Sequence, residues 1–265
     1  MRDVDAERKI AVGELQSAIL SNHDLLISGE ELSRFSLKEL KGISTYFDER
    51  NYEVHAIGFL RPPYELLVSA YQQSLKAGNP PALNSNAVVK QRERVTKLQR
   101  AFQKITFLSF NEARRHEFGP CGLFFNEIGI DSPWDTSEKH DNQSLTAHAA
   151  AIIGYINSKK PALVDGKFNK ERKKGDTMLL YSLGDRKLTL PEALMAPFMT
   201  DVQEANSWLE SEFDKSFCDL KISADKNPLN WTRSELTELE CKLPELDSMI
   251  VEPAKDFLLM HSQRL

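Results

Sequence analysis

The nine residues from Tyr52 to Leu60 read as a nearly continuous apolar run that ends abruptly on Arg61-Pro62-Pro63. A strand that is apolar on both faces must be covered on both faces, which is the habit of parallel sheets whose crossover helices pack on either side. Two further runs have the same character, Asp24-Leu25-Leu26-Ile27-Ser28 and Ile105-Thr106-Phe107-Leu108-Ser109-Phe110. Segments with helical spacing separate them. Leu32, Phe35, Leu37, Leu40 and Ile43 fit one helix or two short ones. Tyr64 to Lys76 fits another, with Leu67, Ala70, Tyr71 and Ser74 near one face. Val88, Val95, Leu98 and Phe102 stripe a third. The expected fold is therefore α/β: a central parallel sheet flanked by helices, followed by a helical C-terminal region.

Other segments are polar or helical. The stretch from Gly129 to Asn142 is a polar loop, and Ser144 to Ser158 is a helix with Leu145, Ala149, Ile152, Ile153 and Ile156 on its apolar side. The chain from Met178 onward is helical and acidic, and Asn227 to Leu265 is an amphipathic tail interrupted by Pro228, Pro244 and Pro253. Two regions are expected, an α/β domain over 1–215 and a helical extension over 216–265 packed on or next to it.

The chain has 265 residues, a net charge of −5 and a pI near 5.8. That balance argues against a whole-surface grip on nucleic acid but leaves room for one local anion site. No apolar run approaches the roughly 20 residues a bilayer crossing needs, and Met1 to Lys9 carry no secretory pattern. Cys121, Cys218 and Cys241 are odd in number and far apart, which excludes a disulfide scaffold and suits a cytoplasmic location. None of His23, His55, His116, His140 and His148 has metal-ligand spacing, so no metal site is expected.

The chemistry concentrates where the second apolar run ends. Arg61 closes a strand, Pro62 and Pro63 open a helix, and Ser69 follows about two turns in. Ligands of open parallel sheets bind beyond the carboxyl ends of the strands. Seven residues of helix rise roughly 10 Å, so the Arg61 guanidinium can lie along the helix face and meet the Ser69 hydroxyl. Together they offer a planar cationic fork and a neutral donor to one phosphate. The competing bland role is an arginine paired with a nearby carboxylate.

Leu60-Arg61-Pro62-Pro63-Tyr64, Ser69-Ala70-Tyr71-Gln72-Gln73 and Lys76-Ala77-Gly78 resemble the second half-site of sulfotransferases, more narrowly the bacterial sulfotransferase-like proteins of glycan and capsule synthesis. Weaker resemblances follow in order. They are Leu26-Ile27-Ser28-Gly29-Glu30-Glu31-Leu32-Ser33, Phe107-Leu108-Ser109-Phe110-Asn111-Glu112-Ala113, Phe124-Phe125-Asn126-Glu127-Ile128-Gly129-Ile130, Asn142-Gln143-Ser144-Leu145-Thr146 with Asn157, and Glu204-Ala205-Asn206-Ser207-Trp208-Leu209. The resemblance implies a P-loop-type α/β fold and 3′-phosphoadenosine 5′-phosphosulfate as donor, with Arg61 and Ser69 on its 3′-phosphate. It also implies a sugar hydroxyl of a polysaccharide or glycolipid as acceptor.

Glu30, at the expected carboxyl end of the first run, is the candidate base; the structural alternative is a helix cap or a partner for Arg61. His23, at the opposite end of that run, is a second candidate expected to lie remote from the site, and Trp134, Trp208 and Trp231 are either sugar-stacking or packing residues. Arg172-Lys173-Lys174-Gly175-Asp176 is either a solvated basic loop or a lid resembling the family's donor-covering Arg-Lys-Gly loop. The family's 5′-phosphosulfate loop has no counterpart, since Gly-x4-Gly-Lys-Ser/Thr does not occur. The first strand and that loop are thus expected to be missing, as in a fragment or a degenerate homologue, and catalysis by these residues alone is expected to be poor. Two other readings stay open: a non-catalytic nucleotide-binding or interaction protein derived from a sulfotransferase, and a relative of P-loop kinases acting on a small metabolite.

Overall fold

A computed structural model describes residues 4–21, 23–131, 144–219, 222 and 229–263, with the backbone alone for Val4 and Glu30. Helix α1 (Val4–Leu20) is followed by a 3-10 turn (Glu30–Arg34) and α2 (Leu37–Asp48). Ser36 starts α2 with a reciprocal capping box, its hydroxyl accepting from the Glu39 N–H while the Glu39 carboxylate accepts from the Ser36 N–H. Then come β1 (His55–Leu60), α3 (Pro63–Lys76), α4 (Asn86–Ala101) and β2 (Lys104–Ser109). Short α5 (Phe110–Ala113) and α6 (Gly119–Glu127) follow. Next are α7 (Ala147–Lys159), an antiparallel hairpin of β3 (Leu163–Val164) and β4 (Lys167–Phe168), α8 (Glu192–Met195), α9 (Met199–Glu212), α10 (Arg233–Lys242) and α11 (Ser248–Ser262).

The architecture is mixed α/β: a small parallel sheet of β1 and β2 flanked by helices. The crossover between the strands runs through α3 and α4, and the register pairs His55 with Lys104 and Leu60 with Ser109. Both strands therefore end level, and the residues after them, Arg61 and Phe110, leave the sheet side by side. His55 spends its Nε2 on the Thr106 hydroxyl of the neighbouring strand, 2.9 Å away.

The sheet differs from expectation in one strand. Asp24 to Ser28 belongs to no strand, and Leu26 is 62% exposed. A run of this composition becomes a strand only when a neighbouring backbone pairs with it; among the described residues β1 pairs with β2, and no strand pairs with residues 24–28. The covering of β1 and β2 is also thinner than a doubly buried strand requires, most residues being half-buried.

Helix α3 is the spine of the fold. Tyr64 and Leu67 pack with Val88, Leu190, Met195 and Val202. At its other end, Leu75 joins the largest core, formed by Ile152, Ile153 and Ile156 of α7 with Trp231, Leu239, Ile250 and Phe257 from the C-terminal segment. The C-terminal helices are thus packed on α7. A third cluster joins Leu60, Val95 of α4, Leu209 of α9 and Phe217. No helix among the described residues is long and apolar enough to cross a membrane.

Helix α3 ends in a Schellman motif: Gly78 N–H donates to the Leu75 carbonyl and Asn79 N–H to that of Ser74. Gly78 has φ +80, and a Cβ there would lie 2.4 Å from the Ala162 Cβ. Its carbonyl also accepts from the Ala162 N–H at 2.9 Å, so the two backbones cannot separate cheaply. Gly78→Ala should lose about 1–3 kcal/mol of unfolding free energy, measured by urea denaturation; a loss within error would show that this junction yields.

Candidate functional site at the carboxyl ends of the strands

Arg61 and Ser69 meet. Arg61 Nη1 donates to the Ser69 hydroxyl at 2.6 Å across eight positions. The hydroxyl, accepting from the arginine, keeps its own proton to donate. Two prolines set this up: Pro62 turns the chain and Pro63 starts α3 without wasting an N–H. The Arg61 carbonyl accepts from Gln91 Nε2 at 2.8 Å, which ties the turn to α4.

The level ends of β1 and β2 bring in residues from the second strand. The guanidinium carbon of Arg61 lies 4.0 Å from the centre of the Phe110 ring, and that of Arg114 lies 5.9 Å from it. Arg114 Nη2 donates to Glu65 Oε1 at 2.6 Å and to Asn111 Oδ1 at 2.8 Å. Asn111 is buried, and its amide donates to the carbonyls of Ser216 and Cys218, each at 3.0 Å. Burial lowers the pKa of Arg61 below the usual arginine value; Glu65 opposes the shift and Arg114 adds to it. A guanidinium remains charged through any such change. The tip therefore carries two cations, an aromatic face and a hydroxyl.

The N-terminus of α3 is already occupied. Asp219 accepts from the Tyr64 N–H at 2.7 Å, the Glu65 N–H at 3.4 Å and Asn206 Nδ2 at 3.1 Å. An anion at Arg61 must therefore be held by side chains and not by the helix end. Burial raises the Asp219 pKa above 3.8, against the pull of its hydrogen bonds. The native state then holds this proton where the unfolded chain has lost it, so the Asp219 contribution to stability falls as pH rises from the ordinary aspartate value through the raised one. Asp219→Asn should flatten that part of the profile relative to the unaltered chain. Urea midpoints of both across that range check it; parallel profiles would contradict it.

Other sequence candidates fall elsewhere. Glu30 begins the 3-10 turn Glu30–Arg34, but its side chain lies outside the described residues. The premise that put it beyond a sheet strand does not hold, because residues 24–28 join no ladder. His23 helps to wall an open groove of about 450 Å3 with Tyr52, Glu53 and Lys104. That groove is at the amino ends of the strands, a strand length of roughly 20 Å from Arg61. His116 accepts from the Phe118 N–H and contacts Asn126, and His148 is buried with Nε2 on the Asn230 carbonyl. His140 and Trp134 lie outside the described residues. Among the described residues no group of three or more His, Cys, Asp or Glu stands ready to hold a metal ion.

Arg172 is neither a solvated loop residue nor a lid residue. Its guanidinium is 3% exposed and grips Asp176, also 3% exposed, through Nε at 2.6 Å and Nη2 at 2.9 Å. Its Nη1 reaches Asn157 Oδ1 at 3.0 Å and the Lys160 carbonyl at the end of α7. Lys173 pairs with Asp247.

Phe110, Asn111, Arg114, Glu65 and Asp219 were not singled out by the sequence. The available signal was the matching strand-end position of Arg61 and Phe110, which becomes informative only when β1 and β2 are neighbours. No protein-family model, curated protein or solved structure matches this chain.

Proposed function

We propose that the chain is a sulfotransferase-like protein on a P-loop-type sheet, with its Arg61–Ser69 pair serving the 3′-phosphate of 3′-phosphoadenosine 5′-phosphosulfate. The observation that carries this reading is the guanidinium–hydroxyl contact at the carboxyl end of a parallel strand, 2.6 Å long and backed by an aromatic ring. That is where an open α/β sheet binds ligands, and the planar guanidinium fork with the hydroxyl offers donors, charge-assisted on the arginine side, to the oxygens of a tetrahedral phosphate. Residues 1–215 form the catalytic-type unit in this reading and 216–265 its helical extension, whose first residues Phe217 and Asp219 reach the sheet and α3.

In the transfer, a sugar hydroxyl oxygen of a polysaccharide or glycolipid bonds to sulfur. The bond from sulfur to the 5′-phosphate oxygen breaks, and adenosine 3′,5′-bisphosphate leaves with the electron pair. The hydroxyl proton passes to a general base, a role that no side chain among the described residues is placed to fill in this reading. A non-catalytic nucleotide-binding or interaction protein derived from a sulfotransferase is the second reading, since the Arg61–Ser69 contact is a binding geometry and performs no chemical step by itself. Isothermal titration with adenosine 3′,5′-bisphosphate tests both: the expected result is binding that Arg61→Ala abolishes or sharply weakens. No heat, or equal heat from both proteins, would overturn the assignment. A sulfuryl-transfer assay with a polysaccharide acceptor then separates enzyme from binder.

A further inference from the structure

We propose that Arg114 is the second cation of a dianion site at the sheet tip, and that Glu65 is a built-in competitor which the bound phosphate displaces. This rests on the reading of Arg61 and Ser69 given above and adds to it the class of anion preferred and the residue that tunes affinity.

Charge governs the tip. Arg61 and Arg114 approach the same Phe110 ring, and the charge of Arg114 adds to the lowering of the Arg61 pKa. Of the acids nearby, Asp219 is committed to the Tyr64 and Glu65 N–H groups and to Asn206. Glu65 is bonded to Arg114 and acts on Arg61 through space. One carboxylate therefore serves two guanidiniums.

The two holds on Arg114 are unequal. Asn111 is 5% exposed and anchored by two backbone carbonyls, so its grip fixes where the guanidinium points. The Glu65 pair is open to solvent, its side chains 44% and 28% exposed, and pairs of that kind exchange readily. A phosphomonoester carries nearly two charges at neutral pH, whereas a sulfate ester or phosphodiester carries one. Two guanidiniums, a hydroxyl and a displaceable carboxylate suit the former. The site should prefer the terminal phosphate of a nucleotide to an internal diester.

The test uses the full chain at low salt with two probes, adenosine 3′,5′-bisphosphate by titration calorimetry and inorganic phosphate by phosphorus NMR. Glu65→Gln is expected to bind both about 2- to 5-fold more tightly, the scale of an exposed ion pair. Arg114→Gln is expected to bind them about 10-fold more weakly, with a shallower dependence on salt. A gain of affinity cannot come from misfolding, so Glu65→Gln keeps the test decisive if Arg114→Gln folds poorly. Equal or weaker binding by Glu65→Gln overturns the inference. If the unaltered chain still binds the bisphosphate through Arg61, the proposed function survives that result. Should phosphate respond to both substitutions while the bisphosphate is not bound, the dianion site stands and the nucleotide reading falls. Binding of neither probe removes both.

Discussion

Replacing Arg172 by alanine is expected to cost about 3–5 kcal/mol of stability, well beyond the loss of any exposed ion pair on the surface. The cause is the charge left behind. Asp176 is as buried as its partner, and without the guanidinium its carboxylate would lose both arms of a bidentate pair. The loss spreads, because Arg172 also holds Asn157, whose amide donates to the carbonyls of Leu75 and Asn79, each at 2.9 Å. The same guanidinium caps the end of α7 through the Lys160 carbonyl, where a cation complements the helix dipole. One side chain thus ties together the ends of α3 and α7 and the loop that follows the hairpin. For a chain of this size the melting temperature should drop on the order of 10 °C. The double change Arg172→Met with Asp176→Leu should cost less than Arg172→Ala, because it leaves no unpaired buried charge. Urea and thermal unfolding of the three proteins check this. A single variant within about 1 kcal/mol of the unaltered chain would show that the network is not what orders the loop.

The second large effect is on ligand binding. Arg61→Ala removes a charged donor from a partly desolvated site, and hydrogen bonds to charged groups are worth about 1.5–3 kcal/mol. Affinity for adenosine 3′,5′-bisphosphate should fall about 10- to 150-fold. Ser69→Ala should cost less, because it removes a neutral donor. The double variant should lose less than the two single losses added, since Arg61 and Ser69 touch and one positions the other. Strict additivity would mean that the two side chains bind independently or not at all. Neither substitution touches the large core around Ile152 and Trp231, so far-ultraviolet circular dichroism should be unchanged.

Much of the helical framework was legible in the sequence. The stripe over Tyr64 to Lys76 became α3, and that over Val88 to Phe102 became α4, within two residues at each end. The reach from Arg61 to Ser69 was legible too, because it follows from helix rise and the length of an arginine. Other features depend on neighbours that no local pattern reports. Leu25, Leu26 and Ile27 have the composition of a strand, yet they join no ladder. Arg172 stands in a basic run that reads as a wet loop. Its burial requires Asp176 four residues on and Asn157 from a separate helix. Arg114 and Asn111 join the site only because β1 and β2 are paired with their ends level. Asp219, far along the chain, reaches the start of α3 through a contact spanning 155 positions.

The most direct measurement is a crystal structure of the chain grown with adenosine 3′,5′-bisphosphate. The 3′-phosphate should lie at hydrogen-bond distance, about 3 Å, from the Arg61 guanidinium and the Ser69 hydroxyl. A nucleotide seated instead in the groove beside His23 and Tyr52, or a tip left without it at saturating ligand, would contradict the account.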